Sequence, residues 1–229
     1  MIETQTRRRR PAAAEAKAAR PRTKPSEVRR RELLDAGEAL VLRKGIAGTS
    51  IDDIVAAADV AKGTFYLYFT SKEALVEALR ERFSERFSAR IASAQAKLDP
   101  ADWSGRLAAW LEGGVRGYLD QVELHDVLFH TPDFLPRQRR VDGHMEPVRG
   151  LVELLRDGAA AGAWAVADAE MTAVLLFYAF HGGVDHAIAE GRTADVAGLV
   201  AELQAFFLRA LGLSPEEASR AVIAKRPSA

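Results

Sequence analysis

The chain contains no cysteine, so disulfides, thiolate metal sites and cysteine nucleophiles are all excluded. No apolar run reaches the roughly 18 residues a membrane-spanning helix needs. The start of the chain is rich in arginine, at Arg7 to Arg10, and lacks the apolar stretch of a secretory signal. Strand-like alternation is nowhere sustained, and no spacing repeats at the periods of solenoid proteins. The short patterns of hydrolases and nucleotide-binding enzymes, GxSxG, HExxH and a phosphate-cradling glycine loop, are missing too. Histidine is scarce: Asp126 with His130 and His181 with Asp185 make pairs four apart, with no third ligand to complete a metal site. These absences lead to the expectation of a soluble, cytoplasmic protein that is not an enzyme and that carries no cofactor or metal.

What is present is helical. Of 229 residues, 48% are hydrophobic, enough to bury one large core or two small ones. A net charge of zero hides a strong asymmetry. Residues 1–31 hold 11 of the 32 Lys and Arg but only 3 of the 32 acids, leaving 21 against 29 in the rest. A basic end on an acidic body points to one end that meets a polyanion. With Pro11, Pro21 and Pro25 set among alanines, residues 1–25 read as a disordered basic arm, expected to touch nucleic acid.

From Thr49 to Leu75 the sequence reads as two short helices joined by a tight turn, followed at once by a third. Thr49 or Ser50 caps the first of these, with Asp52 and Asp53 in its opening turn, and Ile51, Ile54, Val55 and Ala58 recur at helical spacing. Ala58-Asp59-Val60 makes the turn. The next helix buries Phe65 and Phe69, four apart, and leaves Lys62, Gly63, Thr64, Tyr66 and Tyr68 on one surface, the layout of a helix-turn-helix that docks in DNA.

Helices also fill the rest. One spans Ser26 to Lys44, with Gly45 as its stop. Another opens at Thr70 or Ser71, with Glu73 as a capping-box partner of Thr70, and runs to about Lys97. Its stripe Leu75, Leu79, Phe83, Phe87, Ile91 advances by fours, so it drifts about 40° per step and must face one neighbour at its start and another at its end. Beyond Asp99-Pro100, helices are expected from Asp102 to about Gln121, Glu123 to His130, Arg140 to Ala161, Asp168 to about Glu190, and Thr193 to Leu211. Thr131 to Pro136 marks a break.

The segment from about Arg29 to Leu79 resembles the tetracycline-repressor (TetR) family of bacterial transcription regulators. The resemblance rests on Thr49, Ile54, Ala57, Val60, Lys62-Gly63-Thr64-Phe65-Tyr66, Tyr68-Phe69 and Ser71-Lys72-Glu73-Ala74-Leu75, in one ungapped register. It implies an all-α protein with an N-terminal three-helix helix-turn-helix domain at 26–72 and a C-terminal helical domain at 73–229 for effector binding and dimerisation. It also assigns roles by matching position. Lys62 reaches phosphate or a guanine edge, Gly63 lets the helix approach the groove, and Thr64 and Tyr66 face the bases. Tyr68, Lys72 and the hydroxyl of Thr49 or Ser50 are placed for phosphate. Ala61 departs from the small hydroxyl residue common at its position.

The resemblance further implies a homodimer through the last two long helices, a palindromic DNA operator, and release by a small hydrophobic or aromatic effector. In keeping with this, apolar residues surround nearly the whole helix from Met171 to Ile188, and Gly182 and Gly183 suit close approach by a partner helix. For the effector, the aromatic-rich set is Trp103, Trp110, Tyr118, Phe129, Phe134, Met145, Trp164, Phe177, Tyr178 and His181. The alternative is a DNA-binding activator or architectural protein without a small ligand. Effector identity, operator sequence and regulated genes are not written in the chain.

Overall fold

The computed structural model describes residues 25–129 and 145–223. The basic arm, His130, the proline-marked break and Phe134 lie outside the described residues. Among those described, ten α-helices and no strands occur: α1 Ser26–Lys44, α2 Ile51–Ala57, α3 Lys62–Tyr66, α4 Lys72–Gln95, α5 Trp103–Leu119, α6 Val122–Phe129, α7 Met145–Ala160, α8 Ala169–Ala189, α9 Val196–Ala210 and α10 Pro215–Ile223.

Local chemistry explains most boundaries. Gly45 stops α1 at φ 71°, a left-handed conformation open to a residue without a Cβ, and its N–H closes on the Val41 carbonyl. Ser50 and Asp53 cap α2 reciprocally, each side chain accepting from the other's backbone N–H. Asp59 turns the chain at φ 51°, which Asp tolerates better than most residues, and the Val60 N–H returns to the Val55 carbonyl at 3.0 Å. Asp102 and Asp168 cap α5 and α8 as expected.

Three expectations need correction. The cap of α4 is Ser71, accepting from the Ala74 N–H, so the acid three residues on from Thr70 closes no box with it. The helix expected from Thr193 begins at Val196, because the Asp195 carboxylate takes the Gly198 N–H. A further helix, α10, follows, with Ser214 and Glu217 forming a reciprocal cap and Pro215 at the first helical position.

The helices pack around two cores. The head core gathers Leu33, Leu40 and Val41 of α1, Ile54 of α2, Phe65 of α3, and Leu75, Leu79 and Phe83 of α4. The body core takes Phe87 and Ile91 of α4 together with Trp110, Leu111, Leu155, Phe180 and Phe207. The drifting stripe of α4 therefore changes cores between Phe83 and Phe87, one helical turn apart. Where α4 crosses α5 the backbones come close: a Cβ on Gly113 would stand 3.4 Å from the Ile91 Cα.

Candidate functional site

Two sites emerge, one on the head and one in the body. On the head, α3 buries Phe65 completely, stacks it at 5.6 Å on Phe69, and turns its other side outward. That outer side carries Lys62, Gly63, Tyr66 and Leu67, with Thr64 and Tyr68 half-buried. Tyr66 is 52% exposed and Leu67 79% exposed. A Cβ on Gly63 would meet nothing within 4 Å, so no packing inside the protein demands glycine there. Lys62 holds an exposed ion pair with Asp52 at 2.8 Å, which favours its charged form; such a pair is weak enough to be exchanged for a phosphate.

The polar groups expected to reach DNA from α2 and α4 are engaged inside the head. Thr49 is buried and its hydroxyl donates to the Gly45 carbonyl at 2.8 Å. The Ser50 hydroxyl, on an exposed residue, donates to Asp53 at 2.8 Å. Lys72 donates to the Ile46 and Thr49 carbonyls, each at 3.0 Å, and so pins the start of α4 to the α1–α2 loop. A cation at a helix N-terminus opposes the dipole, and these two carbonyls offset that. Leu67 is absent from the expected set although it lies four residues after Gly63, on the same exposed face. That spacing was the available signal.

The head is bolted to the body at two places. On α4, Arg82 bonds Asp35 at 2.6 Å, the Leu34 carbonyl at 3.2 Å, and Glu38, all on α1. The second is α6. Its Leu124 and Leu128 are buried in the head core, and the guanidinium of Arg80, itself buried, donates to the Leu128 carbonyl at 2.7 Å. Burial lowers the pKa of Arg80, while Glu77 works in the opposite direction.

The other side of α6 faces the body site. His125 and Phe129 line a small cavity with Phe83, Ser84 and Phe87 of α4, Tyr118 of α5, Pro147 of α7, and Phe177 and His181 of α8. Ring centroids lie 4.0 Å apart for Tyr118 and His125, 4.3 Å for Phe177 and His181, and 5.5 Å for Phe83 and Phe129. The Tyr118 hydroxyl donates to Asp185 at 2.6 Å, and burial followed by that bond holds it protonated far above the ordinary tyrosine range. The cavity is about 20 Å³, room for about one water molecule.

Of the residues expected at an effector site, Tyr118, Phe129, Phe177 and His181 come together here. The others do not. Trp110 is sealed in the body core against Phe180 and Phe207. Trp103 and Trp164 pair with each other at 6.1 Å, and the Trp164 indole N–H is taken by the Leu155 carbonyl. Tyr178 points outward, 60% exposed. Phe134 and the side chain of Met145 lie outside what is described. Sequence reading passed over Phe83, Phe87, His125 and Ser84. Phe83 and Phe87 were assigned to the α4 stripe alone, yet a ring in a stripe can also wall a cavity. A larger open groove of about 630 Å³ over the outer face of α5 carries none of the expected effector residues.

A three-helix head with an exposed short helix, joined by a long shaft to a helical body with its own cavity, defines a class: all-helical proteins built on a helix-turn-helix head. The comparisons name the family. Residues 33–79 match the bacterial regulatory proteins of the tetR family. The HTH-type transcriptional repressor DhaR of Mycobacterium sp. strain GP1 is 47% identical over 45 residues, 20% of this chain and 23% of that protein. The matched segment thus spans about a quarter of that relative's length. Among solved structures, RolR in complex with resorcinol has a TM-score of 0.63 at 22% identity, covering 88% of this chain and 95% of RolR. FadR of Bacillus subtilis in complex with stearoyl-CoA has a TM-score of 0.62 at 18% identity, covering 76% and 96%. Those two likenesses establish the fold. Residues 33–79 are thus a segment of the tetR-family type, on a chain whose overall fold is that of these solved structures. Among the described residues no helix is long and apolar enough to cross a membrane.

Proposed function

We propose that this protein is a repressor that binds a palindromic operator as a homodimer and is released when a small organic molecule enters the α4–α5–α6–α8 cavity. The observation that carries the reading is α6. One two-turn helix puts Leu124 and Leu128 into the head core and His125 and Phe129 into the cavity wall, so a ligand that displaces one set displaces the other. The α4 shaft is a second connection, since Phe83 packs in the head core and Phe87 in the body core. RolR and FadR, which share the fold, have been seen with resorcinol and stearoyl-CoA.

The dimer is supported by an unpartnered apolar face. Met171, Leu175 and Tyr178 of α8 are exposed in line with Gly182, whose missing side chain leaves open space outward, and Phe206 of α9 is 47% exposed. Gly183, by contrast, is filled from within, where a Cβ would meet Leu203 at 3.0 Å. In a dimer closed through this face, two recognition helices would read half-sites about one DNA turn apart. Base reading is assigned to Lys62, Gly63, Thr64 and Tyr66, with Tyr68 on the backbone. Thr49, Ser50 and Lys72 act chiefly by holding the head in shape.

The nearly closed cavity favours a second reading, a DNA-binding regulator that takes no ligand. Selection of operator sequences from a random pool, followed by a screen for compounds that both raise the melting temperature and release the selected DNA, separates the two. A selected site without two-fold symmetry, or no compound that does both, overturns the ligand-gated repressor.

A further inference from the structure

We propose that the cavity takes a compact planar aromatic molecule bearing a hydroxyl group, and not a long-chain acyl thioester or an aromatic carboxylate. This rests on the ligand-gated reading above and adds the chemical class.

Three features of the cavity select that class. The first is ring content. Seven of its nine described lining side chains are aromatic or imidazole rings, and six of these are held at centroid distances from 4.0 to 5.8 Å from one another. Rings at such spacing sit edge-to-face or tilted against one another, and a ligand ring that enters exchanges one such contact for another. An alkyl chain recovers no comparable geometry. The second feature is size. A cavity of about 20 Å³ must be enlarged by side-chain rotation before anything enters, whereas pockets for drug-sized ligands run to roughly 300–1,000 Å³. Turning rings such as Phe129 and Phe177 aside suits one or two fused rings; a long chain would need whole helices to part.

The third feature is charge. No Lys or Arg is among the described lining residues. The buried guanidinium of Arg80, on α4, is engaged with the Leu128 carbonyl and Glu77. Two carboxylates are at hand: Asp185, behind the Tyr118 hydroxyl at 2.6 Å, and Asp126, 3.5 Å from the His125 ring. An anionic ligand would thus be desolvated beside carboxylates, with only the His125 and His181 imidazoles, and no Lys or Arg among the described lining residues, to match it, which is costly. A neutral hydroxyl has suitable partners. The Tyr118 oxygen, its O–H engaged with Asp185, can accept, and the buried Ser84 oxygen, already engaged within the fold, keeps a lone pair that can accept.

Calorimetric titration of the full-length protein with 2-naphthol, naphthalene, 2-naphthoate and palmitoyl-CoA tests this, with operator release measured in parallel. The expected result is micromolar binding of 2-naphthol, with naphthalene about tenfold weaker and 2-naphthoate at least tenfold weaker. Ser84→Ala and Tyr118→Phe, checked for unchanged melting temperature, should narrow the naphthol-to-naphthalene ratio to about threefold or less, since one neutral hydrogen bond contributes a factor of about 3–10. If Tyr118→Phe fails to fold, Ser84→Ala alone decides. Tightest binding by palmitoyl-CoA or naphthoate, or no binding of 2-naphthol to folded protein, overturns the class. Binding of 2-naphthol without operator release upholds the class and removes the gating reading, so the two fail separately.

Discussion

In the head, Phe65 and Phe69 stack 5.6 Å apart and close the space behind the recognition helix. In the body, Tyr118, His125, Phe177 and His181 are as near to one another yet surround a gap. Both regions are rings in contact, but their polar atoms differ. The head's Thr49 and Ser50 hydroxyls bond within one helical turn of their own positions, and Lys72 returns to the α1–α2 loop. The body's Tyr118 reaches across the fold to Asp185, 67 residues away. Under the proposed function, the first arrangement gives the head a fixed shape to present to DNA, and the second leaves the body a place where a ligand can substitute for part of the packing. Helix α6 belongs to both regions.

The comparison breaks most sharply at Phe65. Phe65→Ala empties a fully buried site in a small core and should cost about 3–5 kcal/mol, with operator binding lost. Urea unfolding followed by helical circular dichroism measures it; a loss under 1 kcal/mol would mean the head core can collapse around the gap. Leu128→Ala comes next, at about 2–4 kcal/mol. Because Leu128 anchors α6 in the head, this variant should bind its effector within about threefold of the unaltered protein while releasing DNA poorly. Equal release by both proteins would move the coupling back to α4 alone.

Lys72 sharpens the distinction between holding shape and touching DNA. Lys72→Met removes two bonds to backbone carbonyls and should lower the unfolding free energy measured in urea without DNA by about 1–3 kcal/mol, and weaken every operator variant alike. Tyr66→Ala, on the exposed face of α3, should leave stability within about 0.5 kcal/mol and flatten the preference among operator variants. If Lys72→Met unfolds like the unaltered protein, its role is the phosphate contact first expected.

The smallest effect concerns the α2 cap. The Ser50 hydroxyl and backbone N–H, with help from Lys44, hold the Asp53 carboxyl below the ordinary carboxylate range. A carboxyl whose folded pKa is depressed stabilises the fold above its unfolded value, about 3.9, and that contribution is lost as the pH falls through the lower folded value. Acid unfolding of the head, followed by helical circular dichroism, should begin at higher pH in the unaltered protein than that of the body, which the fluorescence of Trp103, Trp110 and Trp164 reports. Asp53→Asn should remove this acid sensitivity while retaining the fold at neutral pH. An unchanged acid profile would show that the cap contributes nothing there.

Much of the fold was legible because its causes lie within a few residues of their effects. Ser50, Asp102 and Asp168 each cap the helix that follows, and Gly45 ends the one before it. The terminal helix was legible too, in Ser214-Pro215-Glu216-Glu217, though it was passed over. The DNA-facing surface was half legible. Periodicity separates Phe65 from Tyr66, but nothing in it shows that the Lys72 ammonium, rather than reaching outward, finds carbonyls 23 and 26 residues earlier.

By itself, then, the sequence determined most of the helices, their order along the chain, and that the stripe of α4 must face one neighbour at its start and another at its end. Those follow from spacing along one helix and from caps made by near neighbours. Only the tertiary structure decided that Trp103, Trp110 and Trp164 are packing, that Tyr178 faces outward, and that α6 joins cavity to head. An aromatic side chain has the same appetite for burial in a core, a cavity wall or an interface, and which one receives it depends on helices that approach from distant parts of the chain.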